Sequence, residues 1–423
     1  MSNTYLVINI IIWFITLLLY FKIKRNIDSG FVILASFFIY SISSLIAFNS
    51  TQIYNELKIF PFIYLYLMIV LFIYPVLKNY NSRNIIIEKP NKKLFYSIAI
   101  LYMTSSILFF IFKINDIYEG ILNIISNPSA GADIYRDTMD NSYDVGDGII
   151  TNVFAIISNI FSDIGILLFF YYLTLKNKNK YILIGLSFSI IASIFAPIAQ
   201  SQRGPAVDRL LTVIIAYFTL KDFIPYTIKK RIKTISLVVV VIFTIPIAAI
   251  TISRFEHREG GAKGSVFLYT GMQNLNFNNY AFDNGGLRYG DRTFPLFKRI
   301  LGYEDVPFNF WERRYKYPNL KINDEVFIGF VGDFVLDFGP WVAAIIFIVF
   351  SINTNHKTRI RNKTLQFHQL ILLYFVMCVS IQGGIKLFSF SDTGGNLKLI
   401  AFLLVYILFK FDYIYSRQIK NYN

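Results

Sequence analysis

Long runs of apolar residues, separated by short polar stretches, repeat from one end of the chain to the other. They predict about eleven membrane-spanning helices, because an apolar run of roughly 18 or more residues crosses a hydrocarbon core about 30 Å thick. Apolar side chains surround each predicted helix, which is typical of helices embedded in lipid. The predicted spans are residues 4–21, 31–48, 59–77, 94–112, 150–175, 181–199, 206–223, 234–253, 326–350, 366–385 and 396–411.

Composition supports one all-α, polytopic membrane domain over residues 1–423. Hydrophobic residues make up 55% of the chain and charged residues only 16%, whereas a soluble domain carries about 25% charged residues. The single cysteine, Cys378, lies inside an apolar run. It provides neither an internal disulfide nor a cysteine cluster for zinc. We expect no cofactor.

Basic residues fall in alternate loops, which sets the predicted orientation. The loops after the first, third, fifth, seventh and ninth spans, together with the C-terminal tail, hold 23 of the 41 Lys and Arg and 4 of the 26 Asp and Glu. Loops rich in Lys and Arg stay in the cytoplasm. The N-terminus is therefore predicted outside and the C-terminus inside. The net charge of +15 lies in short loops, so a nucleic-acid partner is not expected.

Two long loops are predicted on the outer face. Residues 113–149 form an acidic loop, and residues 254–325 form the longest loop of the chain. Loops of such length are usually functional or disordered. The second loop is too rich in aromatic residues for simple disorder, so we expect a small folded cap on the outer membrane surface.

The first candidate site lies at the turn 200–205, where one span ends and the next begins. Arg203 is followed by Gly204 and Pro205, which restrict the turn, and by Arg209 about a helical turn further on. Charges at this depth usually face a partner or a wet cavity. Arg203 is a candidate for binding a phosphate, although an arginine extending to the lipid headgroups explains it equally simply.

The second candidate site opens the large loop. If the preceding helix continues, Arg254 and Arg258 share one face at i, i+4, with His257 beside them. Two guanidinium groups on one face suit a diphosphate, and His257 is a candidate general base. The alternative is an ordinary basic helix end that satisfies the helix dipole.

Two further groups lie deeper in the chain. Arg288 and Arg292 repeat the i, i+4 spacing among Asn and aromatic residues, which suits sugar binding but also any small polar fold. Glu325, Asp333 and Asp337 enter a late apolar run. Carboxylates inside a membrane helix indicate a functional site by default. The alternative is structural pairing with an arginine, for which the sequence offers Arg203, Arg209 and Arg254. Both interpretations require the acids to face the protein interior.

These groups point to an anionic, lipid-linked ligand at the outer face. The sequence has no P-loop, no dinucleotide-binding glycine motif and no HExxH motif, which argues against ATP-driven transport and zinc proteolysis. The cytoplasmic loops are too short to hold a nucleotide-sugar transferase domain. An enzyme working outside has no nucleotide sugars, so its donor must arrive on a lipid.

On these features the sequence resembles the oligosaccharide repeat-unit polymerases, the Wzy-type O-antigen and capsule polymerases. The resemblance rests on the turn 201–205, on the large outer loop, and on Gly329-Phe330, Gly332-Asp333 and Asp337-Phe338-Gly339 at the start of a late span. It is mainly architectural and covers nearly the whole chain, while its motifs are short.

The resemblance implies a multi-pass protein of the bacterial cytoplasmic (inner) membrane, with the architecture of the GT-C-like lipid-dependent glycosyltransferases. Such enzymes join undecaprenyl-diphosphate-linked oligosaccharides, which serve as both donor and acceptor, without a metal. A flippase and a chain-length regulator are the implied partners. We expect Arg203, Arg254 and Arg258 to bind diphosphate, with Arg288, Arg292 and Asp337 as further binding residues. The base is expected among His257, Glu325 and Asp333.

Two other functions fit parts of the pattern. An O-antigen ligase uses the same donor with another acceptor, and the residues alone do not separate it from a polymerase. A flippase or other transporter would carry its charges at mid-membrane depth and would not need the long outer loop. A purely structural membrane scaffold leaves Asp333 and Asp337 unexplained.

Overall fold

A computed structural model describes residues 1–51, 53–126, 149–200, 202–234, 261–322 and 326–422. Most of these residues are helical. The helices are α1 (Ser2–Lys24), α2 (Ser29–Ser50), α3 (Ile59–Asn79), α4 (Lys92–Phe112), α5 (Ile114–Ser126), α6 (Ile149–Thr174), α7 (Lys180–Ala199), α8 (Arg203–Leu220), α9 (Gly261–Tyr280), α10 (Pro295–Ile300), α11 (Phe310–Lys316), α12 (Gly329–Lys357), α13 (Phe367–Gly383) and α14 (Asp392–Tyr422). Two short parallel strands, β1 (Ile86–Ile87) and β2 (Thr364–Leu365), pair with each other.

The apolar helices confirm an all-α, multi-pass membrane protein. Seven of the described helices are long and apolar enough to cross a membrane: α1, α2, α3, α4, α6 within 153–174, α7 and α12. Three other predicted spans, 206–223, 366–385 and 396–411, coincide with the helices α8, α13 and α14. The predicted span 234–253 lies outside the described residues apart from Thr234.

The chain forms two compact units. One unit contains Met1–Lys89 and Lys263–Asn423, and the other contains Pro90–Ala262. In the first, α3 packs against α12 and α13, and α1 packs against α2. In the second, α4 packs against α6 and α7, and α8 packs against the same two helices.

A buried ion pair joins two helices of the second unit. Arg209 of α8 is 2.5 Å from Asp163 of α6, measured between Nη1 and Oδ1, and its Nη2 donates to Asn159 at 2.7 Å. Arg209 had been suggested by the sequence as a partner for Asp333 or Asp337. That suggestion is wrong, because Arg209 is satisfied within its own bundle.

The segment 254–325, predicted as a large outer loop with a small folded cap, contains three helices in its described part: α9, α10 and α11. Helix α9 packs tightly on α2: a Cβ added at Gly271 would lie 2.5 Å from the backbone nitrogen of Ser44. The Asn274 amide also donates to the Ser44 hydroxyl at 3.0 Å. The many amides of α9 lower its apolar content, and this hid the helix in the sequence.

The predicted acidic loop 113–149 is also partly helical. Helix α5 follows α4 almost directly and covers 114–126. It packs on α7, with Ile117 buried and Tyr118 exposed. Residues 127–148 of this segment lie outside the described residues.

Candidate functional site

Helix α12 is broken near its first third, and the break organises the surrounding site. Gly339 has φ 77° and ψ 164°, a conformation essentially restricted to glycine, and Pro340 follows it. Every residue from Gly329 to Asp337 is buried. The first part of α12 is therefore a short helix enclosed by protein, which we call the half-helix (329–338).

The break leaves backbone carbonyls of the half-helix without their usual helical donors. Pro340 has no N–H to give to the carbonyl of Leu336. The backbone N–H of Arg288 donates to that oxygen at 3.1 Å, and the N–H of Tyr289 donates to the carbonyl of Asp337 at 2.8 Å. The end of the half-helix is thus closed by a loop that precedes it by about fifty residues in the sequence.

The same loop brings two arginines to the two carboxylates of the half-helix. Arg288 Nε lies 2.6 Å from Asp337 Oδ1, and Arg288 Nη2 lies 3.2 Å from Asp333 Oδ1. Arg292 Nε lies 3.0 Å from Asp333 Oδ1. All four side chains are at most 7% exposed. We call these four residues the arginine–aspartate cluster. The two arginines balance the two aspartates in formal charge. They also lie near the C-terminal end of the half-helix, where the helix dipole favours positive charge.

The remaining carboxylate oxygens of the cluster accept hydrogen bonds from neighbouring segments. Asp337 Oδ2 accepts from the N–H and hydroxyl of Thr293, at 2.8 and 2.7 Å. Asp333 Oδ2 accepts from the N–H of Phe388 at 2.7 Å. Asp333 is buried, so a substrate hydroxyl could reach its carboxylate only if the surrounding segments moved apart. In this conformation the cluster holds the loop and the half-helix together.

A third buried carboxylate, Asp291, lies beside the cluster in the segment 281–322, which we call the cap segment. Asp291 accepts from the ammonium of Lys298, from Lys316 at 2.9 Å and from the Tyr317 hydroxyl at 2.7 Å. Burial disfavours its charged form, but these hydrogen bonds outweigh burial and hold the pKa of Asp291 below its ordinary value. Burial and the nearby Asp291 raise the pKa of Tyr317. Asp291 therefore holds α10 and α11 to the turn that carries Arg288.

The cap segment is also tied to the start of α14. Arg313 Nη1 lies 2.7 Å from Asp392 Oδ1, and Arg299 Nη1 donates to the Thr393 hydroxyl at 3.0 Å. The buried Asn396 amide donates to the carbonyl of Thr293 at 2.8 Å. The cap segment is consequently anchored both to the half-helix and to α14.

An apolar cavity of 190 Å³ lies directly against the arginine–aspartate cluster. Phe334, which follows Asp333, lines it. Phe294, which follows Thr293, and Phe388, whose N–H binds Asp333, line it as well. The other lining residues come from α3, α12, α13 and α14: Phe72, Ile346, Phe347, Phe350, Ile371, Leu372, Phe375, Leu399, Phe402, Leu403 and Tyr406. The charged cluster and the apolar cavity are thus built on the same short segments.

The cavity opens at the surface of this unit. Leu403 lines the cavity and is 43% exposed. An apolar cavity of about 150 Å³ is large enough for benzene, so this cavity holds one segment of a hydrocarbon chain and not a whole lipid. Its composition matches a hydrocarbon ligand, because its lining has no charged side chain.

No protein-family model, no curated protein and no solved structure matches this chain. Activity and substrate are therefore proposals that rest on the site itself.

The structure brings four of the predicted site residues together: Arg288, Arg292, Asp333 and Asp337. Both acids face the interior, as expected, and their partners among the described residues are Arg288 and Arg292. Of the arginines that the sequence suggested, Arg209 pairs with Asp163, while the side chains of Arg203 and Arg254 lie outside the described residues. Both arginines are buried, so a diphosphate could reach them only if the surrounding segments moved apart. The sugar and diphosphate roles of these residues stay predictions.

The other predicted site residues are not placed by the structure. Arg203 begins α8, but its side chain, like the whole of Arg254, His257, Arg258 and Glu325, lies outside the described residues. Among the described residues, no group of three or more His, Cys, Asp and Glu side chains lies together as a metal site.

Sequence reasoning missed three functional features of this site. Asp291 lies inside the motif 288–292, where an acid beside two arginines looks like an ordinary loop charge in the sequence. Thr293 directly follows that motif. Phe388 binds Asp333 through its backbone, which leaves no signal in the side-chain pattern.

Proposed function

We propose that this protein is a membrane glycosyltransferase that polymerises oligosaccharide repeat units carried on undecaprenyl diphosphate. Its product would be an O-antigen, capsular or other surface polysaccharide, made without a metal at the outer face of the bacterial cytoplasmic membrane. The proposal includes the predicted orientation, with the cap segment outside and the C-terminus in the cytoplasm, and a GT-C-like arrangement of about eleven spans.

The observation that carries the proposal is the contact between the apolar cavity and the polar cap segment. A lipid-linked sugar needs an apolar site for its chain next to a polar site for its head. The cavity supplies the apolar site. The cap segment, which reaches the cavity at Phe294, supplies the polar site. Leu403 opens the cavity to the surface that lipid would cover.

The chemistry would use the predicted basic and acidic groups as follows. A hydroxyl of the acceptor sugar attacks the anomeric carbon of the donor, and the bond from that carbon to the diphosphate oxygen breaks. The hydroxyl proton passes to a base, for which His257, Glu325 and Asp333 are the candidates. The diphosphate leaves with the electron pair of the broken bond. Arg254 and Arg258 would stabilise its growing charge, and Arg203 would bind the same group.

A ligase remains the second candidate function, because it would use the same donor, the same cavity and the same leaving group. A flippase is disfavoured by the cap segment. Its buried contacts fix it to the half-helix and to α14, whereas a transporter needs a path along which its charged groups become accessible from both sides.

The polymerase and ligase proposals are separated by deleting the gene in the native strain and analysing surface polysaccharide and lipid-linked sugars on gels. A polymerase deletion leaves single repeat units attached to the surface acceptor. Long polymer that stays on its carrier lipid would indicate a ligase, and single lipid-linked units on the cytoplasmic side would indicate a flippase. Complementation with Arg254→Ala, at wild-type expression, is expected to reproduce the deletion.

A further inference from the structure

A tight turn in the cap segment holds a tyrosine in a backbone conformation that favours glycine. The turn 288–291 is closed by a hydrogen bond from the N–H of Asp291 to the carbonyl of Arg288, at 3.0 Å. Its central residues, Tyr289 and Gly290, have φ of 53° and 82°. Such turns are usually made by Asn-Gly or Gly-Gly, because a β-carbon is disfavoured at positive φ.

The side chain of Tyr289 contributes little to the fold. It is 67% exposed, and among the described residues its hydroxyl has no hydrogen-bond partner. Tyr317, in contrast, is half-buried and donates to both Asp291 and the carbonyl of Arg288. The backbone of Tyr289 is nonetheless fixed, since its N–H donates to Asp337. A disfavoured backbone conformation that displays an otherwise unused ring points to a role in binding.

A lysine contacts the backbone of Tyr289 and the ring of a second exposed tyrosine. Lys298 Nζ donates to the carbonyl of Tyr289 at 3.2 Å and lies 5.6 Å from the ring centroid of Tyr303, which is 59% exposed. Lys298 is held in place by its ion pair with the buried Asp291. Lys298 is therefore a fixed hydrogen-bond donor shared by the backbone of Tyr289 and the exposed ring of Tyr303.

We propose that Tyr289, Lys298 and Tyr303 form a binding surface for a sugar ring of the repeat unit. Sugars present C–H groups on their faces, which stack on aromatic rings, and hydroxyl oxygens at their edges, which accept hydrogen bonds from an ammonium. Tyrosine suits such contacts because it offers a large, rigid surface with few rotatable bonds. The inference rests on the proposed function for the identity of the sugar. It adds where the sugar binds and which ring contacts it.

The position of the surface supports this assignment. The same residue, Tyr289, binds the end of the half-helix through its backbone, and the half-helix carries Asp333 beside the apolar cavity. A sugar resting on Tyr289 would therefore sit at the polar side of the site, where the head of a lipid-linked substrate must lie.

The test is direct binding of the repeat-unit oligosaccharide, released from lipids of the deletion strain by mild acid, to the purified full chain in nanodiscs. Tyr289→Ala is expected to weaken binding about five- to thirtyfold, as truncation of an aromatic anchor commonly does. Tyr289→Phe should retain most of the affinity. Tyr289→Gly relieves the backbone conformation but removes the ring, so it should bind as weakly as Tyr289→Ala. Tyr315→Ala is the matched control, because Tyr315 is 83% exposed in the same segment.

The outcomes separate this inference from the proposed function. Oligosaccharide binding that is lost in Tyr289→Ala supports the surface even if the wild-type protein fails to polymerise. A wild-type protein that does not bind the oligosaccharide, or a Tyr289→Ala variant that binds it normally, overturns the surface, even if polymerisation is observed. A Tyr289→Trp side chain strongly quenched by brominated lipid would also overturn it, because the ring would then lie in the bilayer.

Discussion

Arg288 and Asp337 are joined by a side-chain ion pair and, through the residue that follows Arg288, by a backbone hydrogen bond. Its Nε lies 2.6 Å from Asp337 Oδ1, while the N–H of the next residue, Tyr289, donates to the Asp337 carbonyl. One turn of the cap segment thus satisfies both the charge and the backbone of the broken helix. The position of the cap segment depends on this relationship.

The first prediction concerns the loss of that arginine. Arg288→Ala leaves Asp333 and Asp337 buried with only Arg292 to balance them, and breaking a buried ion pair on one side costs about 3–5 kcal/mol. The expected result is a clear fall in the thermal unfolding midpoint of the protein in nanodiscs. Arg314→Ala, an exposed arginine of the same segment, should leave the midpoint nearly unchanged.

The double variant Arg288→Leu with Asp337→Leu sharpens this test. It removes one positive and one negative charge and leaves the Arg292–Asp333 pair intact. Replacing a whole buried pair by apolar residues is commonly close to neutral, so the double variant should be more stable than Arg288→Ala. Equal or greater destabilisation in the double variant would show that the cluster does not act as a charge pair.

The second prediction concerns the break in α12. Gly339→Ala places a β-carbon at φ 77°, a strained conformation, although the nearest atoms are 3.8 Å away and leave room for it. Strain of this kind costs about 1–3 kcal/mol. Gly394→Ala is the control, because Gly394 is in α14 with open space around its β-position. The unfolding midpoint should fall for Gly339→Ala and stay level or rise slightly for Gly394→Ala. Equal midpoints would contradict a strained break.

The helices were predictable because their signal is local. The predicted span 59–77, for example, corresponds to α3 at 59–79. The sequence shows the two residue types that break the helix, Gly339 and Pro340, but it does not show which segment closes the broken end. The turn 288–291 that closes the half-helix is remote in sequence, and no periodic pattern records such a pairing. Helix α9 was missed because its many amides lower its apolar content. Those amides find their partners on remote segments, as Asn278 does by donating to the carbonyl of Lys58 at 2.6 Å.

The third prediction concerns acid stability. The pKa of Asp291 is below its ordinary value in the folded protein, and the unfolded value is about 3.9. Its stabilising contribution is therefore present above the unfolded pKa and is lost as the pH falls through the lowered folded pKa. The unfolding midpoint of the wild type should drop between about pH 5 and pH 3, and Asp291→Asn should flatten this dependence.

Asp283 provides the control for that measurement. It pairs with Lys321 at 2.5 Å, but the pair is exposed, and exposed pairs add little to stability. Asp283→Asn should leave the pH dependence as in the wild type. If Asp291→Asn and Asp283→Asn behave alike, the buried carboxylate does not hold the cap segment.

The fourth prediction concerns the cavity. Leu403→Trp is expected to fill the opening and to lower polymer formation by the complemented deletion strain, since a lipid chain could no longer enter. Leu404→Trp is the matched control, because Leu404 is the next residue, is 48% exposed and does not line the cavity. Polysaccharide gels from equally expressed variants give the comparison. A normal ladder from Leu403→Trp would argue against the cavity as the lipid site.

The candidate site was predictable in part. Residue types alone identified Arg288, Arg292, Asp333 and Asp337, because charges near apolar spans are unusual. They did not show that these four residues neutralise each other. That depends on the path of the chain between them, so a diphosphate role and a structural role looked alike in the sequence.

The central claim is that the protein joins lipid-linked repeat units, and reconstitution tests it most directly. The purified protein is placed in liposomes with lipid-linked repeat units extracted from the deletion strain, and the lipid-linked products are separated by size. We predict a ladder of products that differ by one repeat unit, with release of undecaprenyl diphosphate in step with each addition. Intact single units after incubation with folded protein would contradict the claim.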